Sequence, residues 1–247
     1  MERIVNGVGE LIDAIREVKS TYNSAIWYRG QANADWSLLP GLLRESRAIS
    51  ETTLLSRFKQ SAAMLTESRP TSSFDWIFLM QHYGVPTRLL DWSENPLVAL
   101  YFAVCDSNIH MDDDAAIWLL MPSELNKYAN IIDKSEGSYI PSFDDQEVEG
   151  YSTESVRQSQ RLELFPIATI ATRNNPRIQA QMGTFTIHHN KSISIENVGD
   201  GKHTSKFIIP KESRNKLLSE LSLLGVNKFS LFPEMESIGN ILKEMMK

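Results

Sequence analysis

The order of apolar and polar positions divides the chain into both helices and strands. Val8, Leu11, Ile12, Ile15 and Val18 recur at helical spacing with charges between them, which predicts an amphipathic helix over residues 8 to 18. Ala25 to Tyr28 is a short apolar run closed by Gly30, the pattern of a strand that delivers Arg29 at its end. A turn-rich stretch with buried anchors at Trp36 and Leu38 follows, then a helix from about Ser50 to Glu67 carrying Leu54, Leu55, Phe58, Ala62 and Leu65. Asp75 to Tyr83 again has helical spacing and stops at Gly84 and Pro86. Leu89 to Trp92 is too short for a helix and reads as a strand. Ser93 is placed to cap the next helix, with Pro96 in its first turn and Leu97, Leu100, Tyr101 and Val104 as its buried stripe.

Beyond that helix, Ala115 to Met121 reads as a buried strand. Residues 133–160 hold Asp144, Asp145, Glu147, Glu149 and Glu154 among few apolar positions, so a solvated, mobile acidic loop or insertion is expected there. Strands are predicted at Ile167 to Ala171, Met182 to His188 and Lys206 to Ile209, and a helix, turn and helix from Lys211 to Met246. Helices and strands interleave without a repeating strand-helix unit. The expected fold class is therefore α+β, a mixed sheet with flanking helices in a single domain over residues 1–247.

Composition narrows the functional class. The chain is 42% hydrophobic and 23% charged, an ordinary globular composition that excludes disorder of the whole. A net charge of -6 and a pI near 5.5 give no overall basic field for duplex nucleic acid, leaving room only for a local basic groove. Cys105 is the single cysteine, so no intramolecular disulfide and no thiolate zinc site is expected, and a reducing cytoplasmic location fits. No signal-peptide pattern and no run of about 18 apolar residues occurs, so no membrane association is expected. The glycine-rich nucleotide loops, the zinc-protease helix motif and the serine-hydrolase elbow are all missing.

The chemistry-bearing residues concentrate in two places. Arg29 ends an apolar strand, and a guanidinium held there needs an anion or carbonyls for its five donors. From Gln81 to Val104, polar residues punctuate core-like sequence, and Asp91 and Ser93 fall where a strand meets a helix start, a place where unpaired backbone amides converge. Tyr28-Arg-Gly-Gln31, Trp36 with Leu38 and Pro40, Gln81 to Ala103, Arg177 to His188, and Leu231-Phe-Pro-Glu234 together resemble the FRG domain, a family named for its Phe/Tyr-Arg-Gly motif. This resemblance runs along nearly the whole chain.

The same landmarks are similar, more faintly, to ADP-ribosyltransferases of the R-S-E type. Those enzymes place an arginine on an early strand, a serine motif at a strand-helix junction, and a Glu/Gln-x-Glu before a Gly-Thr-x-Phe strand. Arg29, Asp91-Trp92-Ser93, and Gln179-Ala-Gln181 before Gly183-Thr-Phe-Thr stand in that order. The resemblance implies a split β-sheet with NAD in its cleft. Arg29, Ser93, Gln181 and His82 would be the catalytic set, and Tyr28, Arg29, Gly30, Asp91, Trp92, Ser93, Tyr101 and Gln179 would contact the dinucleotide. The implied activity is ADP-ribose transfer to a macromolecular acceptor or hydrolysis of NAD, as a bacterial or phage conflict effector, a toxin or a phage-defence protein.

Each residue also has a plainer role open to it. Arg29 is either a phosphate ligand or half of an ion pair with Asp91. Tyr28, Trp92 and Tyr101 are taken singly as core aromatics. His82 suits acid-base work or a bond to a helix-end carbonyl, and Arg88 is expected to pair with Asp91. His188-His189 is read as a strand-end or surface pair and not as a metal site, and Asp112-Asp113-Asp114 as a solvated turn. Gln181 stands where the transferase resemblance implies an acid, so either Asp91, Glu94, Glu234 or Glu236 supplies the carboxylate or the domain binds a nucleotide, or a nucleic-acid end, without transfer. A magnesium-dependent nuclease using Asp91 and Glu94 is a third reading.

Overall fold

The computed structural model describes residues 2–44, 49–65, 70–105, 112–132, 139–159, 161–172, 175–234, 237–239 and 243. Its first half contains β1 (Glu2–Ile4), α1 (Val8–Thr21), β2 (Trp27–Gln31), α2 (Glu51–Ala62), α3 (Ser73–His82), β3 (Leu89–Ser93), α4 (Pro96–Val104) and β4 (Ala115–Leu120). The second contains α5 (Pro122–Tyr128), α6 (Thr153–Gln158), β5 (Ile167–Thr169), α7 (Pro176–Ala180), β6 (Gly183–Ile187), β7 (Thr204–Ile209), α8 (Arg214–Leu223) and α9 (Lys228–Leu231).

The seven strands form one mixed sheet in the order β1-β7-β4-β2-β3-β6-β5. Only β1 and β7 run parallel; the other neighbours are antiparallel. Because successive strand residues point to opposite faces, β2 sends Tyr28 to one side and Trp27 to the other. Tyr28, Ile117, Leu119 and Phe207 meet α1, α4 and α8 through Leu11, Ile15, Leu100, Ala103 and Leu217. Trp27, Leu90, Trp92, Trp118 and Leu120 build a second cluster. A third joins Leu89, Phe185 and Ile187 to Phe74 and Ile77 of α3.

The sheet is nearly parted in its middle. β2 pairs with β4 through five residues, Trp27 to Gln31, and β3 pairs with β6 through five, Leu89 to Ser93. Between β2 and β3 the register holds at Tyr28 and Ser93 alone. The α+β class, the mixed sheet and the flanking helices are as expected from the sequence, and the split falls beside Arg29.

Several local expectations are corrected. Ser93 is the last residue of β3 and not the helix cap; Asn95 caps α4, its Oδ1 accepting the Leu97 N–H at 2.9 Å, and Pro96 opens the helix. Arg88 is buried and pairs with Glu51 at 2.8 Å instead of Asp91, while its other nitrogens donate to the carbonyls of His188 at 2.6 Å and Tyr151 at 2.8 Å. α2 stops at Ala62, and Leu65, expected in its buried stripe, is 83% exposed. Glu67 lies outside the described residues.

The acidic segment is more than a solvated loop. Residues 133–138 lie outside the described ones, but from residue 139 the chain contributes a 3-10 turn at Gln146–Tyr151 and then α6. Phe143, Val148 and Tyr151 are buried while Asp144, Glu147, Glu149 and Glu154 face solvent, so three apolar anchors hold a charged surface strip. His188 and His189 directly follow the end of β6, and both are fully buried instead of surface residues. The last predicted helix is represented by α9 and residues 237–239; Glu236 and most residues beyond 239 lie outside the described set. Among the described residues, no helix is long and apolar enough to cross a membrane.

Candidate functional site

A cleft of about 1050 Å³ opens where β2 and β3 part. Both strands, α3, α4, α7 and β6 contribute to its wall. Its size and its mixture of aromatic walls with a few polar groups are those of a small-molecule site. Arg29 stands on its lip. Past the Tyr28–Ser93 pair, β3 loses its β2 partner, and Arg29 Nη1 donates to the unpaired carbonyl of Asp91 at 2.6 Å. The guanidinium thus spans the gap in place of a ladder hydrogen bond. That single bond engages one of five donors, and Nε is buried without a hydrogen-bond partner. Burial pushes the Arg29 pKa down against the pull of the nearby Asp91, yet an arginine remains charged. In place of the ion pair that was one of its two open roles, Arg29 makes a bond to the Asp91 backbone, leaving the Asp91 carboxylate for another partner.

That partner is Gln81, at the end of α3. Gln81 Nε2 donates to Asp91 Oδ2 at 2.8 Å, and Gln81 Oε1 accepts the Thr87 hydroxyl at 2.5 Å. Thr87 Oγ1 also accepts the Leu89 N–H at 3.1 Å. This sequence of bonds sets the amide with its NH2 towards Asp91, the orientation that suits an ionised carboxylate. Gln81 belongs to the polar punctuation seen in the sequence but was not singled out, because one glutamine in a helix carries no signal of its distant partner.

The other expected site residues sort into three groups. Gly30 lines the cleft, but its lack of a side chain serves the fold: a Cβ there would lie 1.9 Å from the Ala99 carbonyl oxygen and 2.5 Å from the Ala103 nitrogen of α4. Tyr28 and Trp92 also reach the cleft, yet both rings are buried in the core, Trp92 Nε1 donating to Thr186 Oγ1 at 3.0 Å. Burial raises the Tyr28 hydroxyl pKa to about 12, which leaves it no role as a base. Tyr101 packs against the α1–α4–α8 cluster, and Phe102, its neighbour, faces the cleft instead. The exposed aromatics at the cleft are Trp36, 38% exposed where a buried anchor was expected, and Tyr83, 69% exposed.

Ser93 and Gln181 line the cleft together and touch each other. Ser93 Oγ donates to the Gln181 carbonyl at 2.7 Å and accepts the Asn95 N–H at 2.9 Å, so the hydroxyl is engaged on both sides. Gln181 caps α7 and gives its side-chain Nε2 to the Leu231 carbonyl at 3.1 Å. Gln179 is exposed on α7 and does not line the cleft. The motif expected to run straight into a strand is therefore a short helix and its cap, turned by Met182 at φ 46° before β6 begins.

The carbonyl that Gln181 reaches belongs to a C-terminal clasp. Phe232 lies under the Arg177 guanidinium at 4.7 Å and edge-on to Phe102, and Glu234 Oε1 is 3.9 Å from His82 Nε2. His82, Arg177 and Phe102 all line the cleft, so residues 231–234 fasten three of its walls. Among the described residues, Asp75 and Asp144 are its other carboxylates. Asp75 is occupied as the capping box of α3, accepting the Ser72 N–H at 2.9 Å.

Residues 24–112 match the family model described as the FRG domain. The match covers 89 of the 247 residues, where the resemblance read from the sequence ran along nearly the whole chain. The matched segment supplies both strands at the split, Arg29, Gln81 and Asp91, while β6, α7 and the clasp lie beyond it. The FRG glycine is the one α4 packs on, and the FRG arginine is the one that spans the gap. No curated protein and no solved structure matches the chain.

Proposed function

We propose that the cleft is a nucleotide site that takes NAD, and that the domain is ADP-ribosyltransferase-like, cleaving NAD to transfer ADP-ribose to a macromolecule or to water. The observation that carries the reading is Arg29: a cation on the lip of a split sheet, with one donor engaged and its Nε orphaned, facing a cleft of about 1050 Å³. A planar guanidinium matches the paired oxygens of a diphosphate, and the exposed Trp36 and Tyr83 offer faces for a base or a nicotinamide ring. Arg177 and His82 add positive or hydrogen-bonding groups to the same wall. These residues fit the charge and the aromatic parts of a dinucleotide.

A second reading, a nucleotide-binding module without chemistry, is favoured by Gln181, whose neutral amide is already spent on the Leu231 carbonyl. Calorimetric titration with NAD and with ADP-ribose, wild type beside Arg29→Ala, tests the site. Binding of both ligands that Arg29→Ala weakens at least tenfold supports it; absence of wild-type binding overturns it. Release of nicotinamide from NAD separates the enzyme from the binding module.

A further inference from the structure

Taking the cleft as an NAD site, we infer that Asp91 supplies the carboxylate for breaking the nicotinamide–ribose bond, and that Gln81 is its positioning residue. Four carboxylates were open to this role from the sequence. Glu94 and Glu234 do not line the cleft, and Glu236 lies outside the described residues. Asp91 lines it and is exposed to it, on the strand edge beside Arg29 and two residues before Ser93. Of the other acids in the wall, Asp75 is consumed as a helix cap, and Asp144 is exposed without, among the described residues, a side-chain hydrogen bond of the kind that orients Asp91.

What distinguishes Asp91 from a solvated surface acid is how it is held. Gln81 fixes one carboxylate oxygen at 2.8 Å, and Thr87 fixes Gln81 at 2.5 Å, both from the α3 end and the turn before β3. The Asp91 carbonyl is held separately by Arg29 at 2.6 Å. Backbone and side chain are therefore pinned from opposite sides of the gap, and the carboxylate is pre-oriented in the absence of any ligand. A preorganised charge of this kind stabilises developing charge at no reorganisation cost.

The step balances without a further reagent. The bond from ribose C1′ to the nicotinamide nitrogen breaks with its electron pair going to nitrogen, giving neutral nicotinamide and positive charge shared by C1′ and the ring oxygen. Asp91 stabilises that charge. A water or an acceptor nucleophile then bonds to C1′ and passes its proton to Asp91, which returns it to solvent.

The test is NAD binding by calorimetry beside nicotinamide release by chromatography, for wild type, Asp91→Asn and Gln81→Met. Asp91→Asn keeps the shape and the Gln81 bond while removing the charge. It is expected to slow release at least 100-fold with the NAD dissociation constant changed less than about threefold, the scale of losing an oriented electrostatic group. Gln81→Met leaves the carboxylate in place and is expected to lower kcat about tenfold with KM unchanged. Release by Asp91→Asn at the wild-type rate overturns the inference and leaves the NAD site standing, as does a wild type that binds NAD but releases no nicotinamide. A wild type that does not bind NAD removes both.

Discussion

Replacing Gly30 by alanine asks whether the glycine beside Arg29 serves the helix or the ligand. The added Cβ would stand 1.9 Å from Ala99 O, 2.5 Å from Ala103 N and 3.0 Å from Ala99 C. All three are backbone atoms of α4, so no side chain can swing aside. Ordinary contact begins near 3.4 Å, so α4 has to retreat from β2 by about 1.5 Å, opening the packing of Ala99, Leu100 and Ala103 on Tyr28. Overpacking of a single methyl costs about 1–3 kcal/mol where neighbours yield, and a helix backbone that moves as a unit puts this site at or above the upper end. Urea denaturation followed by circular dichroism is the assay, with the midpoint compared at constant m-value. The expected loss is about 3 kcal/mol or more. A loss under about 1 kcal/mol together with abolished ligand binding would refute this reasoning and make close approach of a ligand the purpose of the glycine.

Three further outcomes follow from buried polar groups. His188 is fully buried, and burial lowers its pKa from 6.5 to about 3, so the folded state holds it neutral while the unfolded chain takes up a proton. Stability from this group is complete above pH 6.5 and lost as pH falls towards 3, on the order of 5 kcal/mol at ~1.4 kcal/mol per unit, and urea midpoints at pH 7 and pH 5 should differ less in His188→Asn than in wild type. Asn126 is fully buried, donating to the Tyr139 and Ala168 carbonyls and accepting the Ala168 N–H at 2.7 Å; Asn126→Ala orphans three backbone groups and should cost about 2–5 kcal/mol by thermal or urea unfolding. Arg88→Met strands the Glu51 carboxylate and two carbonyls and should cost about 3–5 kcal/mol, while adding Glu51→Leu should recover part of it, a double-mutant cycle that an independent pair would fail to show.

Local signals in the sequence located most helix bodies and sheet strands because periodicity and caps act over a few residues. The glycine and proline after His82, the proline opening α4 and the alternation in β6 are examples. What was illegible depends on distant pairing. β1, three residues long, exists by docking on β7 from the other end of the chain. Arg88, in the turn before β3, meets Glu51 of α2, while Asp91, three residues away, was the obvious local partner. The site was legible to the extent that Arg29, Asp91, Ser93 and Gln181 converge on one cleft. Among the aromatics, Tyr28 and Trp92 are core residues as read from the sequence, whereas nothing in the local pattern marks Trp36 and Tyr83 as the rings left open at the cleft.

The polar residues between Gln81 and Asn95 explain how a sheet tolerates that parting. Leaving β3 without a partner along most of β2 strands backbone groups, each costing about 1–3 kcal/mol if buried and unmet. Arg29 answers the Asp91 carbonyl directly. Gln81 and Thr87 hold the Asp91 side chain and the Leu89 N–H, Arg88 anchors the start of β3 to Glu51, Tyr151 and His188, and Ser93 ties its end to Gln181 and Asn95. The strand is therefore fastened at its start, middle and end by side chains in place of the missing ladder. A gap left by poor packing would have no such fastenings, and a continuous sheet would need none. Polar punctuation of an otherwise core-like segment is the sequence trace of a gap that is held open, and the carboxylate and guanidinium at its edge are the groups best placed to use it.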